Sequence, residues 1–445
     1  MLLHQTTSVC PVCFKRIPAA YVARQGQVWF EKNCPEHGAD KVPVWDSVEG
    51  YQHWVRTTPA QAPVGPLKPV EHGCPYDCGL CADHQQASCC VLFEVTARCD
   101  LRCPVCFASA GDDSELIDPD LDTIRGWYAM LLEHGGPFNI QLSGGEPTMR
   151  DDLDQVIAIG RQMGFRFFQL NTNGIRIARE PDYLAGLVEA GLNTVFLQFD
   201  TFDQQTSIAL RGKDLRETKQ LAIRQCKAAG VAVVLVPTVR ADLNLHEVGA
   251  IVDYAADHMP AVRGVHFQPI SFFGRYDSYD RESGKVTIPM LLGALEEQTE
   301  GRVRSGDFSP GNAEHSLCTF YADYLVQEDK WSARKSQTSG CCGATSDQAR
   351  DVVAMKWSAP ISQKTITSNT KAFNVRSLDD FLQTRQSQTL ALSGMAFQDA
   401  WSIDLERLHR CHVHVVSPTG ELVPFCSYNL TNTSGKALHR EINTR

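Results

Sequence analysis

The 445-residue chain lacks long apolar runs. Its longest, such as Val231 to Val236, are strand-sized, far below the roughly 18 residues of a membrane span. The start, Met1-Leu2-Leu3-His4, has no basic flank, and Cys10 comes too early for the apolar core of a signal peptide. The expectation is a cytoplasmic protein with no transmembrane segment. A basic surplus is also missing. The formal net charge is −10, whereas a general nucleic-acid binder carries an excess of Lys and Arg. Nucleic acid is therefore not an expected partner. With 43% hydrophobic and 21% charged residues, the composition is that of a soluble globular protein. The length suggests about three domains and a core that needs no staples.

Cysteine is the residue in excess. There are 17, an odd number, and most are clustered. A secreted disulfide scaffold is usually short and even in count, so clustered cysteines in a long chain read as metal ligands. The first group is Cys10-Pro-Val-Cys13 and, twenty residues on, Cys34-Pro-Glu-His37. Two knuckles offering three thiolates and an imidazole suit a closed tetrahedral zinc site. A rubredoxin-like iron site is the alternative, and two unrelated turns the bland reading. Gln27 to Phe30 reads as a hairpin strand between them, in a zinc-ribbon or rubredoxin-like module over 1–56. A proline-rich linker, 57–70, should be extended and exposed.

The second group is Cys74-Pro-Tyr-Asp-Cys78-Gly-Leu-Cys81 with Cys89, in a loop over 71–90. Four thiolates can ligate every iron of a [4Fe–4S] cluster, which would then carry electrons or hold structure. Zinc is the alternative. Cys90 is read as a strand core residue and Cys226 as a small core hydrophobe. The third group, Cys99-Asp-Leu-Arg-Cys103-Pro-Val-Cys106, offers only three thiolates. On a four-iron cube this leaves one iron open to a small molecule. The group follows the strand-like Val91 to Thr96, a position at the C-terminal mouth of a parallel barrel.

Phe138 to Leu142 reads as the next strand, ending in Ser143-Gly144-Gly145-Glu146-Pro147. The glycines would let backbone approach a ligand, and Glu146 would accept from a cationic amine. A solvated turn is the bland reading. Further strands are expected at Phe165 to Leu170, Thr194 to Phe199, Val231 to Val236 and Gly264 to Gln268. Helical periodicity separates them, as in Ile124, Trp127, Tyr128 and Leu131, or Val248, Ile251, Val252 and Ala255. Six strands alternating with helices imply an α/β fold with a parallel sheet. Asn171, Asn173, Gln198, Asp200, Thr238 and Gln268 follow or end strands. They are candidates for adenosine or substrate contacts, with turn capping the alternative.

After about Phe273 the regularity fades. Cys318, Cys341, Cys342, Cys411 and Cys426 are dispersed. Cys318, Cys342 (or Cys341), Cys411 and Cys426 could hold a third cluster, with His412 or His414 as substitutes. Free or core cysteines are the alternative.

The C-x3-C-x2-C loop followed by Gly144-Gly145-Glu146-Pro147 resembles the radical S-adenosylmethionine (SAM) superfamily, although Val105 stands where an aromatic is usual. The knuckles, the Cys74 loop, the Cys99 loop and Pro424-Phe425-Cys426 together resemble its branch of archaeal tetraether-lipid synthases and hydroxymethylpterin dimethyltransferases. That branch has paired cysteines where this chain has Cys411-His412. The resemblance implies a partial (β/α)6 barrel over 91–275, between the N-terminal module and a cysteine-containing C-terminal extension, 276–445. It implies that Cys99, Cys103 and Cys106 hold a [4Fe–4S] cluster whose open iron binds SAM. Gly144, Gly145, Glu146 and Pro147 would grip the SAM amino group, with Asn171, Asn173 and Asp200 nearby. Reductive cleavage to a 5′-deoxyadenosyl radical, fed by a flavodoxin or ferredoxin, would activate a C–H bond of a pterin-like or lipid-like substrate for methylation or C–C bond formation. Transfer of another SAM-derived group to a small molecule is a second reading, and a non-catalytic electron-transfer module a third. An electron carrier has no need of the amine grip at Glu146.

Overall fold

The computed structural model describes residues 1–111, 117–276, 281–327, 330–334, 346–359 and 387–440. Four antiparallel strands open the chain: β1 (Leu2–Val9), β2 (Arg16–Arg24), β3 (Gln27–Cys34) and β4 (Gly38–Trp45), paired in sequential order. Strand β3 buries Val28, Phe30, Lys32 and Cys34, the period of two that one covered face demands. The inward Lys32 donates to the carbonyls of Val9 at 2.9 Å and Ala400 at 2.6 Å. Thr6 and Tyr21 hydroxyls donate to Asp404 at 2.6 and 2.8 Å. The ribbon is thus anchored on the C-terminal third. Residues 57–70 are mostly non-regular, as expected, and are pinned by bridges Gln61 to Gln86 and Lys68 to Cys81.

The second sheet takes its strands from the rest of the chain. They are β5 (Cys90–Thr96), β6 (Asn139–Gly144), β7 (Phe168–Thr172), β8 (Thr194–Gln198), β9 (Ala232–Val236), β10 (Thr238–Val239) and β11 (Val262–Pro269), followed by β12 (Thr319–Gln327), β13 (Lys330–Arg334), β14 (Thr389–Met395), β15 (Val413–Val416) and β16 (Leu422–Pro424). The six expected strands are β5, β6, β7, β8, β9 and β11, adjacent in that order and parallel. The helices between them cover the outer face. Leu121–Glu133 buries Ile124, Trp127, Tyr128 and Leu131, and Val248–Asp257 buries Val248, Ile251, Val252 and Ala255. Asp120 caps the first of these by accepting from the Thr123 amide.

Two details differ from the sequence reading. The strand expected from Phe165 begins at Phe168, because the Phe165 amide still bonds back to Gly160 of the preceding helix. The irregular C-terminal third also supplies strands to the same sheet. β14 pairs parallel to β11 and β15 pairs parallel to β5, one at each side of the expected six. Antiparallel β12 and β13 extend one edge and β16 the other. These strands carry no βα alternation, so no local period announces them. No helix among the described residues is long and apolar enough to cross a membrane.

Candidate active site and metal centres

The sheet wraps around a cavity of about 1020 Å³ bordered by residues from β6, β7, β8, β11, β12 and β14. Cys99, Cys103 and Cys106 border it beside Gly144, Gly145 and Glu146. Sequence positions some forty residues apart thus meet at one mouth. Asn171, Asn173, Gln198, Thr238 and Gln268 border the same space, whereas Asp200 and Pro147 do not.

The cysteine loop is held by backbone. Cys106 and Arg275 exchange amide-to-carbonyl bonds of 2.8 and 2.9 Å. The Arg275 guanidinium donates to the carbonyls of Cys103 and Ala110, each at 2.8 Å. Gly274 is at φ +55°, and a Cβ there would lie 2.5 Å from the Phe107 carbonyl. This clamp lies in the stretch where periodicity fades, and sequence reasoning missed it. The Leu101 amide points at the Cys99 sulfur, 3.4 Å away. Burial pushes the Cys99 thiol up to about 12 and raises Cys103 also. Buried thiols become thiolates only with a cation to compensate them, which is what an iron–sulfur cluster provides. Three thiols converging on a cavity fit a cluster with one open iron.

The glycine pair makes a close backbone contact of its own. A Cβ on Gly144 would lie 2.1 Å from the Thr96 carbonyl, and one on Gly145 2.2 Å from that of Arg98. The close approach is to the root of the cysteine loop, sealed by Gly145 N to Thr96 O at 2.7 Å and Glu146 N to Arg98 O at 2.9 Å. Glu146 is 2% exposed. Its Oε1 accepts from Thr148 N, Thr148 Oγ1 and Thr172 Oγ1, and its Oε2 from Asn173 N at 2.7 Å. Burial raises its pKa and these four bonds oppose the shift. The carboxylate therefore ties the end of β6 to the end of β7, with three bonds accepted at Oε1 and one at Oε2.

Glu146→Gln is expected to weaken SAM binding about ten- to a hundredfold, the value of one charge-assisted bond. Iron content should stay at the wild-type level. SAM titration under anaerobic conditions, read by the EPR signal of the reduced cluster, checks this. Equal affinities would reduce Glu146 to a turn residue.

Asn173 donates to Asp100 Oδ1 at 2.6 Å and accepts from the Ile175 amide at 2.9 Å. Its side-chain amide thus joins the cysteine loop to β7 and caps a turn, and the residue borders the cavity. Asp200 forms a buried bidentate pair with Arg211, 2.7 and 2.6 Å, and accepts from Thr238 N at 2.9 Å. Arg211, not Asp200, borders the cavity. The sequence reading named the carboxylate and missed its partner, because the two lie eleven residues apart across a loop and a helix. Lys219 is also buried here, and loss of solvent pushes it down to about 8.

The ribbon brings its four predicted ligands together. Ligand atoms of Cys10, Cys13, Cys34 and His37 lie within 4.8 Å of one another. His37 Nδ1 is 3.6 Å from the Cys10 sulfur and 3.5 Å from that of Cys34. This donor set fits one tetrahedral ion. Cys74, Cys78 and Cys81 border a small recess with His84 and His409. Asp77 folds their loop by accepting from the amides of Glu71, His72 and Gly73.

Cys89, the expected fourth thiolate, borders the large cavity. Its amide bonds to the His412 carbonyl beside β15. Cys90 starts β5 and is buried, and Cys226 is buried in the core. Cys341 and Cys342 lie outside the described residues. Burial raises the Cys426 thiol, and Cys411 and Cys318 add to the shift, so these three are neighbours. His412 borders the cavity. His414 is buried against His84 and Ser88, at 3.2 and 3.0 Å.

Residues 2–46 match the family model of the HMPTM N-terminal zinc ribbon domain, and residues 93–255 that of the radical SAM superfamily. The chain is 33% identical over 490 residues to a 7,8-dihydro-6-hydroxymethylpterin dimethyltransferase of Methanocaldococcus jannaschii, covering 98% of this chain and 94% of that one. A GTP 3′,8-cyclase of Erythrobacter litoralis is 30% identical over 214 residues, 47% of this chain and 60% of the relative. Among solved structures, Streptococcus suis SuiB bound to S-adenosylmethionine aligns with a TM-score of 0.36 and 17% identity, over 49% of this chain and 45% of that one. A dimethyltransferase matched along nearly its whole length, together with a radical SAM match that takes in the Cys99 loop and Gly144 to Pro147, shows that this chain is a radical SAM enzyme and belongs to the radical SAM superfamily.

Proposed function

We propose that the enzyme methylates a pterin-like substrate by activating one of its C–H bonds. The observation that carries this reading is the near full-length match to an enzyme named for that reaction. The cavity supports it. Gln141, Gln169, Asn171, Gln198 and Gln268 face it from β6, β7, β8 and β11. Gln169 donates to Asn171 at 2.7 Å. A wall of neutral amides offers donors and acceptors to the edges of an uncharged heterocycle. An alkyl chain would leave these groups unpaired, at a cost for each.

In this reading Cys99, Cys103 and Cys106 hold the reducing cluster, and Arg275 keeps their loop in place. Gly144, Gly145 and Glu146 fix the backbone against which SAM lies. A bound, reduced [4Fe–4S] cluster supplies the electron that cleaves SAM to methionine and a 5′-deoxyadenosyl radical. The strands around the cavity would hold the substrate beside the cysteine loop and limit water there. Cys74, Cys78 and Cys81 hold an auxiliary cluster, and Cys318, Cys411 and Cys426 contribute to a third. The ribbon holds zinc. A flavodoxin or ferredoxin is the electron donor.

Anaerobic reconstitution tests this. The protein should bind about eight irons per chain, or about twelve with the third cluster, at four per cluster. With dithionite it should form 5′-deoxyadenosine from SAM, 7,8-dihydro-6-hydroxymethylpterin should stimulate that cleavage, and with a separate one-carbon donor supplied the pterin should gain methyl mass. Iron near four per chain would assign the Cys74 group to zinc. An absence of any pterin effect would remove the substrate reading.

A further inference from the structure

The cavity has one buried acidic group whose surroundings leave it unfinished. Glu314 lies on the loop before β12, and His412 on the turn before β15. These strands belong to opposite sides of the open sheet. The two side chains meet across the gap, with Glu314 Oε2 3.5 Å from His412 Nδ1. Both residues border the cavity, at 7% and 9% exposure.

One half of the carboxylate is fixed. The Gly311 amide donates to Thr319 Oγ1 at 3.1 Å, and that hydroxyl donates to Glu314 Oε1. Gly311 leaves room for this arrangement, because a Cβ there would lie 1.7 Å from Oε1 and displace the carboxylate. The other half is not closed. The separation from His412 exceeds a good N–H···O bond, and His412 Nδ1 is buried without a hydrogen-bond partner. Such atoms are rare in folded proteins and each calls for an explanation.

We propose that Glu314 Oε2 and His412 Nδ1 form the subsite that reads the nitrogen-rich edge of the substrate ring, with Glu314 accepting from its exocyclic amino group. This rests on the pterin reading and deepens it. A carboxylate held at one oxygen and directed by the other is a preorganised acceptor for N–H donors. A ring bearing a carbonyl at that place would put two acceptors face to face. Discrimination between amino and oxo rings is thus built into the pair.

The test is an anaerobic fluorescence titration of the reconstituted full-length enzyme with pterin and with lumazine, its 2-oxo counterpart, in the presence of SAM. Wild type should bind pterin about ten- to a hundredfold more tightly than lumazine, the value of one charge-assisted bond. Glu314→Gln should lose most of that preference while keeping wild-type iron content and SAM affinity. A folded Glu314→Gln that retains the preference overturns the assignment and leaves the pterin reading standing. Loss of iron in Glu314→Gln also overturns it, by making Glu314 a support for a cluster. The wild-type comparison needs no variant, so equal affinities for the two rings overturn it directly. A wild type that cleaves SAM but binds neither ring removes the pterin reading, and the subsite with it.

Discussion

Cys103→Ala is expected to bring 5′-deoxyadenosine formation down to background while the protein stays folded. Cys103 packs in a small cluster with Leu101, Ile175 and Leu215, separate from the main core that holds the sheet to its helices. Removing its sulfur leaves two thiolates for a site that needs three, so the open iron and the SAM site on it are lost together. Iron should fall by about four per chain. The thermal midpoint should move little, because the loop is clamped from elsewhere by Arg275. Product formation under dithionite is measured beside iron content and a melt. A comparable rate of product from the variant would remove Cys103 from the reducing cluster.

Cys13→Ala should produce the largest loss of stability, confined to the first module. The four-stranded ribbon is small, and small folds rely on metals or other staples. Structural zinc is worth about 10–16 kcal/mol in finger peptides near neutral pH. Loss of one ligand from Cys10, Cys13, Cys34 and His37 forfeits a large part of such a term. The expected result is loss of about one metal ion per chain and rapid proteolysis within residues 2–46. The large sheet and its helices should resist the protease for much longer. The ribbon is also tied to the rest of the chain through Asp404, the Ala400 carbonyl and a shared apolar core, none of which replaces a ligand at the knuckles. A Cys13→Ala protein with full metal content and unchanged proteolysis would show that the knuckles are not a metal site.

The two kinds of evidence divide along a physical line. The ribbon ligands were legible because each knuckle is local: C-x2-C and C-x2-H place their donors by chain geometry alone. The six central strands were legible because apolar runs alternate with helical periods, and parallel strands so connected have few ways to pair. Chain position after β5 and β6 placed Cys99, Cys103, Cys106, Gly144, Gly145 and Glu146 at one mouth. These features were determined by the sequence itself, through short spacing and period.

Long-range packing decided the rest. β14 and β15 join the sheet only because the chain returns to its exposed edges, where unpaired backbone groups must find partners. Arg275 reaches the cysteine loop, and Arg211 replaces Asp200 at the cavity, through contacts that no spacing predicts. Cys89 shows the limit most clearly. Its spacing from Cys81 grouped it with the Cys74 loop. In the fold its amide also bonds to the His412 carbonyl, more than three hundred residues on, and the residue borders the cavity, which no spacing predicts. Ligand spacing describes what a loop can reach in isolation. Where each thiol ends depends on the sheet to which its loop is fastened, and only the folded chain supplies that.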